Sequence, residues 1–403
     1  MKPLQGIKIL EWAVWMSGPI ATTILGDLGA EVVKIEQTGT GDPMRGLRGD
    51  GVLILADGRH GLFEAYNRNK RSIVIDLKKE KGREIAYALV KWADVFVHNF
   101  PTNTASKLGL DYQPLRLINP RIIYATASSY GRKGPDSDQR SFDLGGMARS
   151  GYMMALSGLG RGVPQSGVGG TADHIAAFTL SHGILAALLA RERFGLAQEL
   201  DVSLLGSMIN MQLYGASIAL FFNREQRLWP RSEPTANPLY NWYKCRDDKW
   251  IALLMLQPTP YWSTFCRALS IVELEGDPRF DNIYNRVQNA AELISILENI
   301  FSTKIREDWI EVLRSSGIPY CPINNLLDLQ SDPQVIENDY IIDFDHPSLG
   351  PVKLVGFPVS FSETPLSVRR EAPVYGQHTE EVLQEVLGLS WEDIDKLKNE
   401  GVI

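Results

Sequence analysis

The chain has 403 residues, 44% of them hydrophobic, and a net charge of −7 at pH 7, enough to bury a sizeable core across two or three domains. Its densest basic cluster, Arg68-Asn69-Lys70-Arg71, is too short for a phosphate-tracking stripe and argues against nucleic acid as a partner. Cys245, Cys266 and Cys321 are odd in number and widely spaced; they read as core thiols in a reducing, cytoplasmic setting rather than as a disulfide framework or CxxC metal site.

In chain order, the opening MKPLQGIKILEW shows no basic region followed by an apolar run, so no export signal is expected. GIKILEWA, EVVKIEQ, RSIVIDL, DVFVHNF and RIIYATASSYG read as strands, and 19–29, 79–93 and 171–194 as helices. Such alternation predicts an α/β fold with a mainly parallel sheet covered by helices, whose ligands sit beyond the carboxyl ends of the strands. After the first strand comes WMSGPIAT, with one glycine and then proline. No GxGxxG opens that helix and no GxxxxGK[ST] occurs, which excludes dinucleotide and P-loop chemistry. The most apolar run, Ile175 to Ala190, contains Ser181 and His182 and falls short of the roughly 20 residues of a membrane span, so it reads as a core helix.

From about 222 the texture changes to RLWPRSEPTANPLYNWYKCRDDKW, a linker entering a second domain. WIALLML reads as a strand and 259–268, 288–302 and 306–316 as helices of a smaller α+β domain over 225–322. GPVKLVGFPVSFS returns to strand texture at 350–362, and Trp391 to Glu400 forms a polar amphipathic helix.

The chemistry centres on VGGTADHIAAF, where Asp173 stands at the junction of a Gly-rich loop and the long apolar helix with no Lys or Arg beside it. Two readings stand: a helix cap for the first-turn amides, or a reactive carboxylate. A metal centre is poorly supported, because Asp173 and His174 diverge by about 100° on a helix and the position one turn on is Phe178. No GxSxG motif is present and no cysteine has local motif support. The loop GLGRGVPQSGVGG, 158–170, permits close backbone approach to a ligand and favours a site. GTGDPMRG and YNRNKRS, with Arg45, Lys70 and Arg71, read singly as solvated turns.

Taken together, the segments PLQGIKILEWAVWMSGPIATTILGDLGAEVVKIEQTGTGDPMR, NRNKRSIVIDLKKEKG, ADVFVHNF, LGLDYQPLRLINPRIIYATASSYGRKGP, HGILAALLARERFGLAQELDVSLL, DPRFDNIYNRVQN and YGQHTEEVLQEVLGL resemble the class III coenzyme A-transferase (CaiB/BaiF) family over nearly the whole chain. The resemblance implies a Rossmann-like large domain from 1–222 and 323–403, a small domain at 223–322, and an interlocked dimer, with a heteromer as the other possibility. It implies no tightly bound cofactor and no metal, CoA and acyl-CoA being substrates, and a carboxylic acid as acceptor; succinyl-CoA is a common family donor. The family's nucleophilic aspartate lies eleven residues before the ILAAL of the long helix, the place Asp173 holds relative to Ile184. Attack by that carboxylate gives a mixed anhydride and then an aspartyl-CoA thioester. An aspartate stays ionised at pH 7 without a general base, and the Gly-rich run 167–170 is the local candidate for oxyanion stabilisation.

The family's CoA-contacting segments fall on Met16 and Ser17, on Ile75, Asp76, Leu77 and Lys78, on Asn99 and Phe100, on Lys107, and on Arg140 to Asp143. Gln37 and Pro101 depart from the basic or glycine residues common there. TANPLYNWYKC stands where oxalate-using members carry a glycine-rich loop, which argues for a larger acid. Trp229, Tyr240, Trp242 and Tyr243 either line an acyl pocket or pack a core. The alternatives are an acyl-CoA racemase, disfavoured by Phe142 where racemases place histidine before the FD-like aspartate, and a non-catalytic CoA-binding subunit.

Overall fold

Strands of the first half are apolar on both faces, and the fold covers both. The computed structural model describes residues 1–46, 53–158, 162–228, 231 and 237–403. They form two compact units, Met1–Ser157 with Gly162–Gln226 and Asp339–Ile403, and a second built on Arg227–Asn338. In the first unit β1 (Lys8–Trp12), β2 (Glu31–Glu36), β3 (Lys70–Val74), β4 (Val95–His98), β5 (Ile123–Ser128) and β6 (Glu199–Ser203) make a parallel sheet in the order β3-β2-β1-β4-β5-β6. The five strands expected from the sequence are all present. β6, with Glu199, Asp201 and Ser203 on one face, is not among them, because an edge strand carrying charge lacks a buried strand's apolar pattern.

The helices of this unit are α1 (Ser17–Asp27), α2 (Gly61–Asn67), α3 (Glu80–Trp92), α4 (Thr102–Lys107), α5 (Tyr112–Ile118), α6 (Asp143–Arg149), α7 (Tyr152–Ala155), α8 (Thr171–Phe194), α9 (Leu204–Met211) and α10 (Leu213–Phe222). Alternation along the strands divides the core in two. Ile9, Val32, Val95, Val97 and Ile123 pack against Ile20, Ala21 and Leu25 of α1 and Leu180, Ile184 and Leu188 of α8. Leu10, Val33, Ile35, Phe96 and Tyr124 face Ile85 and Leu89 of α3, together with Val382, Leu383, Ile394 and Val402 from the chain's end. With 24 residues, α8 is long and apolar enough to cross a bilayer, contrary to the shorter run expected; its inner face is occupied by this core instead.

In the second unit β7 (Trp242–Lys244), β8 (Trp250–Leu253) and β9 (Tyr320–Ile323) form an antiparallel sheet with α11 (Trp262–Ala268), α12 (Ile283–Gln288), α13 (Ala290–Phe301), α14 (Arg306–Ser315) and α15 (Pro333–Glu337). Tyr243 is core here: its ring stacks on Phe301 at 5.0 Å and its hydroxyl donates to the Pro238 carbonyl. Tyr240 and Trp242 are exposed on this unit, and Trp229 lies outside the described residues. Cys245 and Cys266 are buried thiols, as expected, whereas Cys321 is exposed because it sits on the outer face of β9. The hairpin β10 (Ile341–His346) and β11 (Gly350–Val355), then α16 (Thr379–Leu387) and α17 (Trp391–Asn399), complete the first unit.

One tight contact sets the course of the chain after β3. A Cβ on Gly82, in the first turn of α3, would lie 2.0 Å from the Asp76 carbonyl oxygen. Gly82→Ala is therefore expected to displace segment 75–78 and destabilise the protein by about 1–3 kcal/mol, read as a lowered thermal midpoint.

Candidate active site

Strand order reverses between β1 and β4, and the loops leaving their carboxyl ends diverge to leave a crevice. The two loops are tied together by Asn99, whose Oδ1 accepts from the Val14 N–H at 3.0 Å and whose Nδ2 donates to the Val14 carbonyl at 2.6 Å. The next residue, Trp15, is held at φ 64°, a conformation costing a non-glycine residue roughly 1–3 kcal/mol. Its N–H donates to Asp42 Oδ1 at 3.1 Å, and the chain then enters α1.

What holds Asp42 is a fully buried ion network. Lys34 Nζ lies 2.9 Å from Asp42 and 2.7 Å from Glu11, and donates to the Ala13 carbonyl at 2.7 Å. Lys70 Nζ reaches the other Glu11 oxygen at 2.8 Å and donates to the Pro19 and Tyr66 carbonyls and to Asn67. Burial alone would raise the Glu11 carboxyl, but Lys34 and Lys70 together hold it at about 2. Burial would likewise lower Lys34, and Asp42, Glu11 and Glu36 hold it above the ordinary lysine range instead. Burial, with the Lys34 charge, pushes Lys70 down to about 8. Lys70 and Arg45 are thus not the solvated turn residues their segments suggest. Arg45 forks onto Glu36 at 2.8 and 2.7 Å, and Arg71 pairs with Glu31, Glu381 and Glu385. Charges on central parallel strands can be buried only as such a set, because each needs a partner when water is absent.

Asp173 occupies the third position of α8, half-buried, where the N-terminus of α1 meets that helix. It is not the cap. The amides of Gly170, Ala172 and Asp173 donate at 2.9, 2.6 and 3.1 Å to Asp143, at the first residue of α6. Gly170, at φ 83°, is the N-cap residue and has no side chain to offer. Burial first, and the Asp143 charge second, push the Asp173 carboxyl up to about 6, while the hydroxyl and backbone N–H of Ser17 pull the other way. The carboxylate is therefore less acidic than expected of an aspartate at a helix start, though still mainly ionised at pH 7. Of the Gly-rich run 167–170, the Gly170 N–H is taken up by Asp143, and the Ser17 N–H is a further backbone donor beside Asp173.

Two cavities meet at Val14, Trp15, Phe100 and Thr104. One, of about 350 Å³, is lined by Trp12, Trp15, Gln37, Ile75, Asp76, Leu77, Lys78 and Phe100. The other, of about 360 Å³, contains Asp173 with Ser17, Asn99, Phe100, Thr126, Arg132, Arg140 and Phe142. The structure thus gathers most of the residues singled out in the sequence. Met16 packs against the core near Gly170, the exposed Lys107 lies at the end of α4, and Asp143 is turned to the amides of α8, so none of the three lines the cavities. Larger clefts, of about 450 Å³ and 730 Å³, lie beside Arg71 and Arg306, which are engaged inside their own units by Glu381 and by the Ile323 carbonyl.

Two contributors escaped sequence reasoning. Arg132, on the wall of the Asp173 cavity, donates to Thr126 and pairs with Glu199. His98 is fully buried and its pKa is lowered to about 3, by burial and by Arg132. Its Nδ1 accepts from the Phe100 N–H at 3.3 Å, and its Nε2 meets the Tyr124 hydroxyl at 2.7 Å, which donates on to the Leu110 carbonyl. This neutral histidine orients Phe100 and takes no proton. No cluster of three metal-ligating side chains occurs among the described residues.

An open parallel sheet with a half-buried carboxylate in the crevice at its switch point is where such folds bind their ligands. The chain belongs to CoA-transferase family III, which it matches over residues 4–379. It is 36% identical to an acyl-CoA transferase of Fusarium pseudograminearum, over 99% of this chain and 88% of that one. It is 34% identical to succinyl-CoA:glutarate CoA-transferase of Mus musculus, over 100% and 91%. The crystal structure of a CaiB/BaiF family protein from Brucella suis superposes with a TM-score of 0.85 at 30% identity, covering 96% of this chain and 99% of that one.

Because Lys34 joins Glu11, Asp42 and the Ala13 carbonyl, Lys34→Met leaves two buried carboxylates short of a cation. It should destabilise the protein by about 3–5 kcal/mol in denaturant unfolding, the usual result of breaking a buried pair from one side.

Proposed function

We propose that the protein is an acyl-CoA:carboxylate CoA-transferase that works by covalent catalysis on Asp173. The observation that carries this reading is a single half-buried carboxylate, poised at about 6 and hydrogen-bonded by Ser17, in the wall of the cavity at the switch point. The Asp173 carboxylate attacks the donor thioester carbonyl, and CoA thiolate leaves to give a mixed anhydride. The thiolate attacks the aspartyl carbonyl, expelling the donor acid and forming an aspartyl-CoA thioester. The acceptor carboxylate then attacks that thioester, CoA thiolate leaves again, and its attack on the acceptor acyl carbon releases the new acyl-CoA and free Asp173. No net proton is consumed and thioester energy is conserved, so no ATP is needed. Each tetrahedral oxyanion is met by the Ser17 N–H at the positive end of α1.

We place the nucleotide end of CoA in the cavity of Trp12, Trp15, Ile75 to Lys78 and Phe100, where aromatic faces suit a base and Lys78 suits phosphate. Lys107 and Arg140, both exposed, are further candidates for phosphate. The acceptor is an acid larger than oxalate. Supporting this, relatives named for glutarate and phenyllactate are more similar to the chain, at 34% and 33% identity, than the formyl-CoA:oxalate CoA-transferases at 31%. The active species is an interlocked homodimer. In support, α10 exposes Leu213, Tyr214, Leu220, Phe221 and Phe222, a run of large apolar side chains of the kind found at interaction surfaces.

Asp173→Asn should lower turnover at least about a thousandfold, measured as CoA exchange between succinyl-CoA and a panel of carboxylic acids. In the unaltered enzyme kcat/KM should fall as pH drops through about 6, where the nucleophile protonates. Stability should move the other way. A carboxyl whose pKa is higher folded than unfolded weakens the fold when ionised, so Asp173→Asn should be more stable at pH 7 to 8 by roughly 1–3 kcal/mol. That advantage should shrink as pH falls from about 6 toward 4.

A further inference from the structure

The four leading amides of a helix need acceptors; in α8 that of Thr171 bonds locally to the Val168 carbonyl, and those of Gly170, Ala172 and Asp173 find theirs 27 to 30 residues upstream. Both oxygens of Asp143 are engaged, Oδ2 by the Gly170 N–H and Oδ1 by the amides of Ala172 and Asp173. α6 can bring them there because Gly146 lets it lie close to α8: a Cβ on Gly146 would be 2.9 Å from the Cβ atoms of Ala172 and Leu204. Asp143 therefore grips the backbone of the reactive residue itself.

Resting on the transfer reaction proposed above, we infer that Asp143 is a positioning residue for it: its carboxylate fixes the turn that presents Asp173 and sets a negative charge beside it that favours the acylated states. With Asp173 as a free carboxylate, two like charges face each other in a partly desolvated place. Once Asp173 is an anhydride or a thioester its charge is gone and the repulsion is relieved. The same repulsion makes Asp173 a more basic and hence better nucleophile. It is offset by Ser17 from α1, so the carboxylate stays ionised at neutral pH. The other ionisable groups around Asp173 are Tyr66 of α2, His174, and Arg132 and Arg140 on the cavity wall. His174 Nδ1 is engaged 2.7 Å from the Gly170 carbonyl, with its ring edge-on to Tyr66. Asp143 is the one among them whose charge reaches both the backbone and the acidity of the nucleophile.

The test is Asp143→Asn in the full-length protein, with Asp143→Ser, a neutral residue that still accepts amide hydrogen bonds, as a second variant should the first not fold. Expected are an acid limb of kcat/KM moved down by about half to one pH unit, kcat lowered about tenfold or more, and KM for succinyl-CoA nearly unchanged. An unmoved acid limb with a tenfold or greater rise in KM would make Asp143 a CoA contact and overturn the inference, as would kinetics equal to those of the parent. A readout independent of turnover is the pH dependence of the stability gap between the parent and its Asp173→Asn variant. Its window near pH 6 should move toward 4 when Asp143 is neutralised in both. If the parent shows no CoA transfer at all, the proposed function fails, while this window still reports the coupling between the two carboxylates.

Discussion

The site depends on one buried ion network below the carboxyl end of the sheet. Glu11 on β1, Lys34 on β2, Lys70 on β3 and Asp42 after β2 carry two charges of each sign, so the set is neutral overall and each member is paired. Its hydrogen bonds end on backbone: the Ala13 and Pro19 carbonyls and the Trp15 N–H. These are the residues that turn the chain from β1 into α1. Such a network is weak evidence for stability, since apolar residues would often serve as well. Its value lies in geometry, because it holds Trp15 at a positive φ just before α1, whose first amide, that of Ser17, stands beside Asp173.

From that constraint the electrostatics of Asp173 follow. Two helix N-termini converge on Asp173 and favour its charge, while burial and Asp143 disfavour it; the balance leaves it raised but ionised at neutral pH. A carboxylate fully stabilised by helix amides would be a poor nucleophile, and one fully buried without donors would be protonated. Asp143 resolves the conflict by taking the cap hydrogen bonds itself, which frees the Asp173 side chain for the cavity.

Much of the fold was legible in the sequence. Five of six strands of the parallel sheet and the bounds of α8 follow from apolar runs and their flanking glycines, because a doubly covered sheet leaves the plainest pattern. Asp173 was singled out by the family resemblance and its spacing to ILAAL, and most of the residues tied to CoA by the same resemblance do line the two cavities. Other features lay outside local pattern. Lys70 and Arg45 look like surface turn residues until β1, β2 and β3 are aligned, since their partners are distant in sequence. The cap of α8 was invisible for the same reason: Asp143 and Asp173 are thirty residues apart, and a local reading offers only Asp173 as the cap. Arg286, in DPRFDNIYNRVQN, is a buried support of the second unit, stacked on Trp262 and donating to the Phe280 carbonyl.

The most direct test of the central claim is the mass of the peptide containing Asp173 after the protein has been incubated with acyl-CoA and trapped with hydroxylamine or borohydride. Covalent catalysis predicts an adduct or reduction on Asp173 that depends on acyl-CoA and is absent from Asp173→Asn. An unmodified peptide across a broad donor panel, in protein that still binds CoA and transfers it between acids, would contradict covalent catalysis at this residue.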